Sequence, residues 1–371
     1  MQEPSLSRSQ WNCFTTSAGW FSHAPLPAAA GLAYPFCRSW QKGINRVAIW
    51  AYENMYSEEK AYEYFRFRKE DIPVLLTALR IPTAVCGRVK VGNRYKFAPM
   101  EMLCTFLWRM SYPGTWARAL NVLGGRCESA YKEAFYWLLE YLHKQFKRCV
   151  NDISRWGGNC AEWADAIHNM GAPAPRCIGF IDGTFRPCCR PSEQQREVYS
   201  GYKKEHGIKF QSVIAPNGLI VDLYGAVVGR RSDNYLMVES KFLTRMQKLV
   251  RQERRPFYVY GDPAYGLSPY ILRGIKGAMT AAERHFCREM SRLRESVEWG
   301  FAIVIQDWAF LDYKKNLKLL LQPIGKLYTV GAFLMNIKTI VTASHALDGY
   351  GNLIADKFDV SPPSLHDYLW R

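Results

Sequence analysis

Three carboxylates at separate points of the chain have the surroundings of metal ligands. Asp182 follows a short apolar run at 177–181, Asp262 follows another at 257–260, and Glu298 lies in a segment with helical apolar spacing. Carboxylates that converge on one point can hold two divalent cations, which activate a nucleophile and stabilise the leaving oxygen in phosphodiester cleavage. The three residues therefore predict a metal-dependent chemistry on phosphodiesters, provided that the fold brings them together.

The ligand types indicate which metal to expect. Mg²⁺ and Mn²⁺ prefer hard oxygen ligands and keep several waters, so three carboxylates without cysteine or histidine suit two such ions. Each acid taken alone also has an ordinary explanation. Asp182 and Asp262 are typical of turns after strands. Glu298 is typical of a helix surface, where it would pair with Arg294 one turn earlier.

The elements around these acids predict an α/β fold with a mixed sheet flanked by helices. Alternating and apolar runs indicate strands at 177–181, 208–214, 219–228 and 257–260, and Pro216-Asn217-Gly218 forms the turn of a hairpin. Helical spacing predicts helices at about 234–250 and 282–305. Because side chains at the ends of central strands meet at one crevice, we expect Asp182 and Asp262 to face each other there, with Glu298 reaching them from its helix.

The chain is expected to divide into four parts. Residues 1–45 are rich in Ser, Pro, Ala and Gly and predict a flexible tail. Residues 46–150 show helical periodicity with glycine-containing turns, which fits either a helix-turn-helix domain or an ordinary helical bundle. After a shift in composition, residues 151–345 carry the sheet and the three acids, and 346–371 form a C-terminal tail.

The charge balance points to a polyanionic partner. The 371 residues contain 49 Lys and Arg against 33 Asp and Glu, a net charge of +16. A globular chain this basic is more plausibly directed to DNA than to a neutral small molecule, with an anionic membrane surface as the competing partner. No membrane association is expected, because no polybasic block lies beside an apolar span, and the apolar stretch at 328–343 is interrupted by Asn336 and Lys338 and too short to span a bilayer. The 11 cysteines are scattered and favour reduced thiols in an intracellular protein.

Basic residues near the acids are candidates for DNA backbone contacts. At 100° per residue, Arg284 and Arg294 fall within about 40° of Glu298 around the predicted helix. The other candidates flank the first hairpin or precede Asp233; they are Lys203, Lys204, Lys209, Arg230 and Arg231. A solvated sheet edge that prevents strand pairing is the alternative explanation. The basic run at 314–318 fits either backbone contact or nuclear import.

An ordered set of motifs resembles the DDE endonuclease domain of PIF/Harbinger-type transposases and their domesticated nuclease relatives. The matching elements are Ile181-Asp182-Gly183-Thr184, Tyr199-Ser200-Gly201-Tyr202-Lys203-Lys204 with His206, Lys209 and Gln211, Pro216-Asn217-Gly218, Gly229 with Ser232-Asp233, Tyr260-Gly261-Asp262 with Tyr265, and Val297-Glu298 with Phe301. The neighbours of the acids depart from the family pattern. Phe185 stands where relatives usually have His, and Trp299 follows Glu298 where they favour Arg.

The resemblance implies an RNase H-like fold, preceded by a helix-turn-helix-like segment, with Asp182, Asp262 and Glu298 as catalytic ligands of Mg²⁺ or Mn²⁺. Asp233 matches a further acid of the motif and is a second-choice ligand. The family also implies a separate Myb-like DNA-binding partner, action on transposon terminal repeats in the nucleus, and potential homo-oligomerisation.

Three functional hypotheses follow. The leading one is a DDE-type endonuclease or transposase that cleaves and rejoins DNA by a two-metal mechanism. The alternative is a domesticated, catalytically inactive factor that binds nucleic acid or protein on the same scaffold. An RNase or Holliday-junction nuclease on this fold is the third.

Overall fold

The computed structural model describes residues 52, 56–82, 84–86, 95–123, 127–344 and 353–371. The predicted flexible tail at 1–45 lies outside these residues. The chain divides into two compact units, one made of Met1–Lys144 with Trp308–Phe310, and one made of Gln145–Asp307 with Leu311–Arg371.

The first unit is helical and has its own aromatic core. Its helices are α1 (Glu58–Phe65), α2 (Asp71–Ala78), α3 (Pro99–Ser111), α4 (Ala119–Leu123) and most of α5 (Glu128–Phe146), with a small antiparallel pair of strands, β1 (Ala84–Cys86) and β2 (Tyr95–Phe97). Pro99 occupies the first turn of α3, where a backbone N–H has no acceptor within the helix, so proline costs no hydrogen bond there. Phe106 of α3 stacks on Phe135 of α5 at 4.9 Å. The helices agree with the predicted periodicity, and the helix-turn-helix role stays a prediction.

The second unit is a mixed sheet with helices around it. Its strands are β3 (Cys177–Pro187), β4 (Tyr199–Ser200), β5 (Glu205–Ile214), β6 (Ile220–Val228), β7 (Tyr258–Gly261) and β8 (Ile271–Arg273). Its helices are α6 (Arg148–Asn151), α7 (Cys160–Asn169), α8 (Gln195–Val198), α9 (Asp233–Glu239), α10 (Phe242–Glu253), α11 (Ala281–Asp307), α12 (Ile324–Ser344), α13 (Leu353–Phe358) and α14 (Leu365–Trp370).

The sheet combines antiparallel and parallel pairing. β5 lies antiparallel to both β3 and β6, whereas β7 runs parallel to β3, and β8 runs parallel to β7. The short strand β4 pairs with the start of β5. The predicted hairpin is confirmed as β5 and β6, with Gly218 at φ 78° in its turn, a conformation that glycine adopts without strain. β3 is central, with one antiparallel and one parallel neighbour.

Two predictions about the elements differ from the structure. The helix expected at 234–250 is two helices, α9 and α10, because Lys241 between them has φ 55° and cannot continue a right-handed helix. The segment called a C-terminal tail contains α13 and α14, and Tyr368 of α14 is 2% exposed. Asn336 of α12 explains part of this packing, because its Nδ2 donates to the Tyr368 hydroxyl at 2.9 Å.

The apolar stretch at 328–343 lies within α12, and none of the described helices is both long and apolar enough to cross a membrane.

Gly300 sets how closely α11 approaches the sheet. A Cβ placed on Gly300 would lie 1.9 Å from Cδ1 of Ile214 on β5, so the helix backbone rests directly against this side chain. Because Glu298 and Arg294 are on the same helix, this approach also brings them to the sheet.

We expect Gly300→Val to destabilise the protein by about 1–3 kcal/mol, the usual cost of overpacking a core. Ala302→Val on the exposed side of α11 is the matched control, since it adds a similar volume without meeting the sheet. Urea unfolding of the two variants measures the difference, and equal stabilities would show that the approach at Gly300 is not tight.

Candidate active site

Asp182 lies inside a strand. The expectation that the strand ends at this residue is wrong, because β3 continues to Pro187, which pairs with Gly207 of β5. The parallel neighbour β7 does stop here, since its last paired residue is Gly261, opposite Ile181. The apolar pattern ends at Ile181 because from this point β3 has lost one neighbour and its side chains are only partly buried. Asp182 therefore lies at the place where one edge of β3 becomes open.

Asp262 follows β7 directly, as predicted, and begins a tight turn. Its Oδ1 accepts a hydrogen bond from the Ala264 N–H, and its carbonyl accepts one from the Tyr265 N–H at 3.0 Å. Ile181 and Gly261 are register partners in the parallel strands β3 and β7, and Asp182 and Asp262 are the residues that directly follow them. Neighbouring strands lie about 4.8 Å apart. The sheet therefore brings two of the three predicted acids together.

Glu298 is linked to Asp182 through the side chain of Arg294. Arg294, one turn earlier on α11, contacts Asp182 with Nη1 and reaches Glu298 Oε1 with Nη2 at 3.4 Å. The Arg294 side chain is 19% exposed and Asp182 is 17% exposed, whereas Glu298 is 59% exposed. One guanidinium thus lies between two of the predicted metal ligands.

Burial and the neighbouring charged side chains determine the pKa of Asp182. Burial raises the pKa of Asp182 to about 6, Arg294 and the Gly183 N–H oppose this, and Asp262 and Glu298 add to the rise. The Gly183 N–H donates to Asp182 Oδ1 at 2.8 Å. The folded chain therefore holds a carboxylate where negative charge is costly, and Arg294 offsets only part of the cost.

Asp233, the second-choice ligand, lies on the other side of β3 from Asp182. Successive residues of a strand point to opposite faces, and a Cβ on Gly183 would meet Asp233 Oδ1 at 2.7 Å. Asp233 also pairs with Lys209 of β5 at 3.0 Å. Its carboxylate is thus already neutralised by a lysine that was predicted to contact DNA.

The remaining predicted DNA contacts are distributed differently. Lys203 and Lys204 are exposed in the turn between β4 and β5, beside Tyr202, which is 89% exposed. Arg230 pairs with Glu197 at 3.1 Å. Arg231 lies over the ring of Tyr235, and the exposed Arg284 donates to the carbonyl of Met279. Lys209 and Arg294 are mostly buried against acids, so their charges act inside the protein.

Three buried polar residues of the sheet and of the turn after Asp262 were not singled out as chemical groups from the sequence. Tyr265 is fully buried, and its hydroxyl has no hydrogen-bond partner. Ser212, the cross-strand partner of Asp182, and the adjacent Gln211 are 1% exposed, and their side-chain polar atoms are also unpartnered. Tyr265 and Gln211 were quoted only as parts of motifs, and Ser212 shows no signal beyond its place in an alternating strand.

Phe185, three residues after Asp182, has a packing role. Its ring atoms lie 2.3 and 2.5 Å from where a Cβ on Gly207 or Gly229 would be placed. Its ring therefore rests directly on two glycines of neighbouring chain segments, and the position carries no titratable group.

In this conformation, no three His, Cys, Asp or Glu side chains of the described residues are arranged so that they could hold a metal ion. The guanidinium of Arg294 contacts both Asp182 and Glu298.

Comparison with known families gives a match within the sheet-containing part of the chain. Residues 181–336, less than half of the chain, match the family described as DDE superfamily endonuclease. No curated protein and no solved structure gives a significant match. The mixed sheet flanked by helices is compatible with a DDE nuclease fold. The match supports a nuclease- or transposase-type function for this region, in a family that acts on DNA and generally uses divalent metal ions.

Proposed function

We propose that the chain is a metal-dependent DNA endonuclease of the transposase type, with Asp182, Asp262 and Glu298 as its catalytic carboxylates. One observation carries the proposal: Asp182 and Asp262 directly follow the register pair Ile181 and Gly261 of two neighbouring strands, and a single guanidinium links Asp182 to Glu298. The family match over residues 181–336 covers all three acids.

The residues at the site suit a divalent cation. The three acids offer only hard oxygen donors, which Mg²⁺ and Mn²⁺ prefer. Asp182 is buried near two further carboxylates, so added positive charge would be stabilised there. Asp182, Asp262 and Glu298 would hold two cations, with Asp233 as a second-choice ligand from the other side of β3. Bound cations would supply an activated water or 3′-hydroxyl and stabilise the leaving oxygen.

The chain itself supplies the positioning and the counter-charges. β3 and β7 fix the two aspartates, and α11 carries Glu298 to them. In the metal-free protein, the positive charge of Arg294 holds Asp182 and Glu298 near each other. We propose that the exposed Lys203, Lys204 and Arg284, with Arg230 and Arg231, contact DNA phosphates, where each neutralised phosphate contributes salt-dependent affinity.

Arg294 gives a prediction that does not depend on catalysis. Because its guanidinium competes with a cation for Asp182 and Glu298, we expect Arg294→Gln to lower the melting temperature of the metal-free protein. We also expect it to raise Mn²⁺ affinity about tenfold, which corresponds to ~1.4 kcal/mol. Thermal shift over a range of Mn²⁺ concentrations measures both quantities.

Arg288→Gln is the control for Arg294→Gln, because Arg288 is on the same helix with its side chain 72% exposed. Equal Mn²⁺ affinity in the wild type and in Arg294→Gln would show that this arginine does not compete for the acids.

The proposed activity is tested by nicking of supercoiled plasmid and of a duplex that carries the cognate terminal repeat. Cleavage in Mg²⁺ or Mn²⁺ that stops on addition of EDTA is the expected result. No nicking by the purified full chain on either substrate, with or without a Myb-like partner, would reject the endonuclease function.

The rival proposal is a catalytically inactive binding factor, and the position of Arg294 favours it. An ion pair that satisfies Asp182 without metal is what a domesticated scaffold would keep. An intact metal site must gain stability on binding Mn²⁺ by mass action. If the rival proposal holds, the protein keeps the same melting temperature at every Mn²⁺ concentration and still binds DNA or protein.

We further propose that the chain is of the PIF/Harbinger type, works in the nucleus with a separate Myb-like partner, and assembles as a homo-oligomer. The motifs from Ile181 to Phe301 support this kinship, and the net charge of +16 supports DNA as the partner.

A further inference from the structure

The solvent-facing side of α10 is strongly basic, and the proposed function gives it no role. Residues 241–256 contain six Lys and Arg against one acid, Glu253. Arg245 is used inside the protein, where it pairs with Asp222 at 2.7 Å. The other five cations are exposed; they are Lys241, Lys248, Arg251, Arg254 and Arg255.

These five cations are not neutralised by acids. Among the residues that the structure describes, none of the five forms an ion pair. Glu253 is directed elsewhere, because its Oε1 accepts from the Gly158 N–H at 2.8 Å. Lys241 lies at the N-cap of α10, where the helix dipole disfavours a cation. Stabilisation of the helix therefore does not explain the positive charge along its whole length.

The middle of this face offers hydrogen-bond donors to an anion. Side chains from two turns of α10 border a shallow concavity that is open to solvent; they are Thr244, Gln247, Lys248, Arg251 and Gln252. Each of the five can donate a hydrogen bond, and none is an acid. Lys248 and Arg251 are three residues apart, so they are neighbours on the helix surface. A phosphate placed here would meet two cations and several neutral donors.

The buried side of α10 fixes this face and uses the apolar residues of the helix. Phe242, Met246 and Leu249 are fully buried, and none of the large apolar side chains of α10, which the structure describes in full, is exposed. A helix that binds a membrane surface needs apolar side chains on its outer face. The exposed face of α10 therefore fits a phosphate backbone in water better than an anionic bilayer.

α10 covers the face of the sheet opposite to α11. Asp222, which anchors α10 through Arg245, pairs in register with Val213 of β5. The next residue, Ile214, lies against Gly300 of α11. Because successive residues of a strand point to opposite faces, the sheet separates the basic face of α10 from α11 and its arginines.

We propose that the exposed face of α10 binds the phosphate backbone of duplex DNA, at a surface separate from the candidate acids. The inference rests on the proposed function for the choice of DNA as the polyanion, and it requires neither metal binding nor cleavage. Contacts of Lys and Arg with phosphates give affinity without reading the sequence. The surface would therefore hold DNA of any sequence.

A double variant, Lys248→Gln with Arg251→Gln, tests the inference because it removes two charges from exposed side chains that can still donate hydrogen bonds. Each lost phosphate contact lowers the slope of log affinity against log salt by about 0.9, so we expect the slope to fall by about 2. At about 0.1 M salt this corresponds to DNA binding that is weaker by roughly 10–100-fold. Fluorescence anisotropy of the full chain with labelled duplexes in EDTA measures both quantities, and the melting temperature is expected to stay the same.

Arg288→Gln with Arg292→Gln is the matched control, because it removes the same charge from two exposed residues of α11 that both pair with Glu289. Lys248→Arg with Arg251→Lys keeps both charges and should bind DNA like the wild type. Wild-type affinity in the α10 glutamine variant, an equal loss in the control, or no DNA binding by the wild type would overturn the inference. A loss confined to one duplex sequence would also overturn it, because base contacts would then be the cause.

Nicking assays separate this inference from the proposed function. A wild type that binds DNA through α10 but never nicks it would reject the endonuclease function and leave the inference standing. Active nicking with unchanged DNA affinity in the α10 glutamine variant would do the reverse. Vesicles that contain phosphatidylserine test the membrane alternative. Vesicle binding that the α10 glutamine variant loses while its DNA affinity is unchanged would overturn the inference in favour of a membrane surface.

Discussion

Asp182→Asn is expected to abolish metal-dependent DNA cleavage while the protein stays folded. Asparagine keeps the size of the side chain and can still accept a hydrogen bond from Arg294. It removes the negative charge that would bind a cation at the centre of the site. Loss of one preorganised electrostatic group in other enzymes costs about 10²–10³ in rate, and we expect at least this loss here.

The stability of Asp182→Asn separates a functional role from a structural one. Burial raises the pKa of Asp182 to about 6, so the charged form is disfavoured in the fold. Removing the charge should therefore leave the metal-free melting temperature unchanged or higher, a pattern typical of sites where stability is given up for activity.

Asp165→Asn is the control for this experiment, because Asp165 is an exposed acid on α7. Nicking rates and melting temperatures in EDTA are measured for both variants. Cleavage by Asp182→Asn at the wild-type rate would remove Asp182 from the site. A large fall in its melting temperature would make the loss of cleavage a folding effect.

Arg245→Leu is expected to destabilise the sheet-containing unit more than any surface substitution. Arg245 of α10 donates from Nε and Nη2 to the two oxygens of Asp222 on β6, at 2.8 and 2.7 Å. Asp222 is 1% exposed and also accepts from the Ile153 N–H. Without Arg245 the buried carboxylate has no counter-charge, and breaking such a pair costs about 3–5 kcal/mol.

A double variant identifies the cause of that loss. Arg245→Leu with Asp222→Leu removes both charges, and we expect it to recover part of the stability, because apolar replacement of a buried pair is often nearly neutral. Arg251→Leu on the exposed side of α10 is the surface control. Chemical unfolding of Arg245→Leu, Asp222→Leu, the double variant and the control measures the coupling. Additive losses in the double variant would mean that the two residues do not act as a pair.

Much of the sheet could be predicted because its signals are local. The alternation in β5 and β6 and the turn at Pro216-Asn217-Gly218 specify a hairpin without reference to the rest of the fold. The strand before Asp262 is similarly visible as a short apolar run. By contrast, the break between α9 and α10 depends on Lys241 at positive φ, a conformation that sequence does not predict for lysine.

The candidate site could be predicted only in part from the sequence, because some of its contacts depend on tertiary packing. The spacing of Arg294 and Glu298 on one helix predicts their pairing, and the structure has it at 3.4 Å. The contact of Arg294 with Asp182 needs the close approach of α11 to β5 at Gly300, which is a tertiary feature. The unpartnered hydroxyl of Tyr265 is visible only when burial and geometry are known together.

The claim that Asp182, Asp262 and Glu298 form one divalent-cation site is tested most directly by electron paramagnetic resonance of Mn²⁺. The signal of free Mn²⁺ falls when the ion binds protein, so a titration gives the number of ions held by the full chain. The account predicts bound Mn²⁺ in the wild type and its loss in Asp262→Asn, with the melting temperature in EDTA preserved. The same amount of bound Mn²⁺ in Asp262→Asn, or none in the wild type, would contradict it.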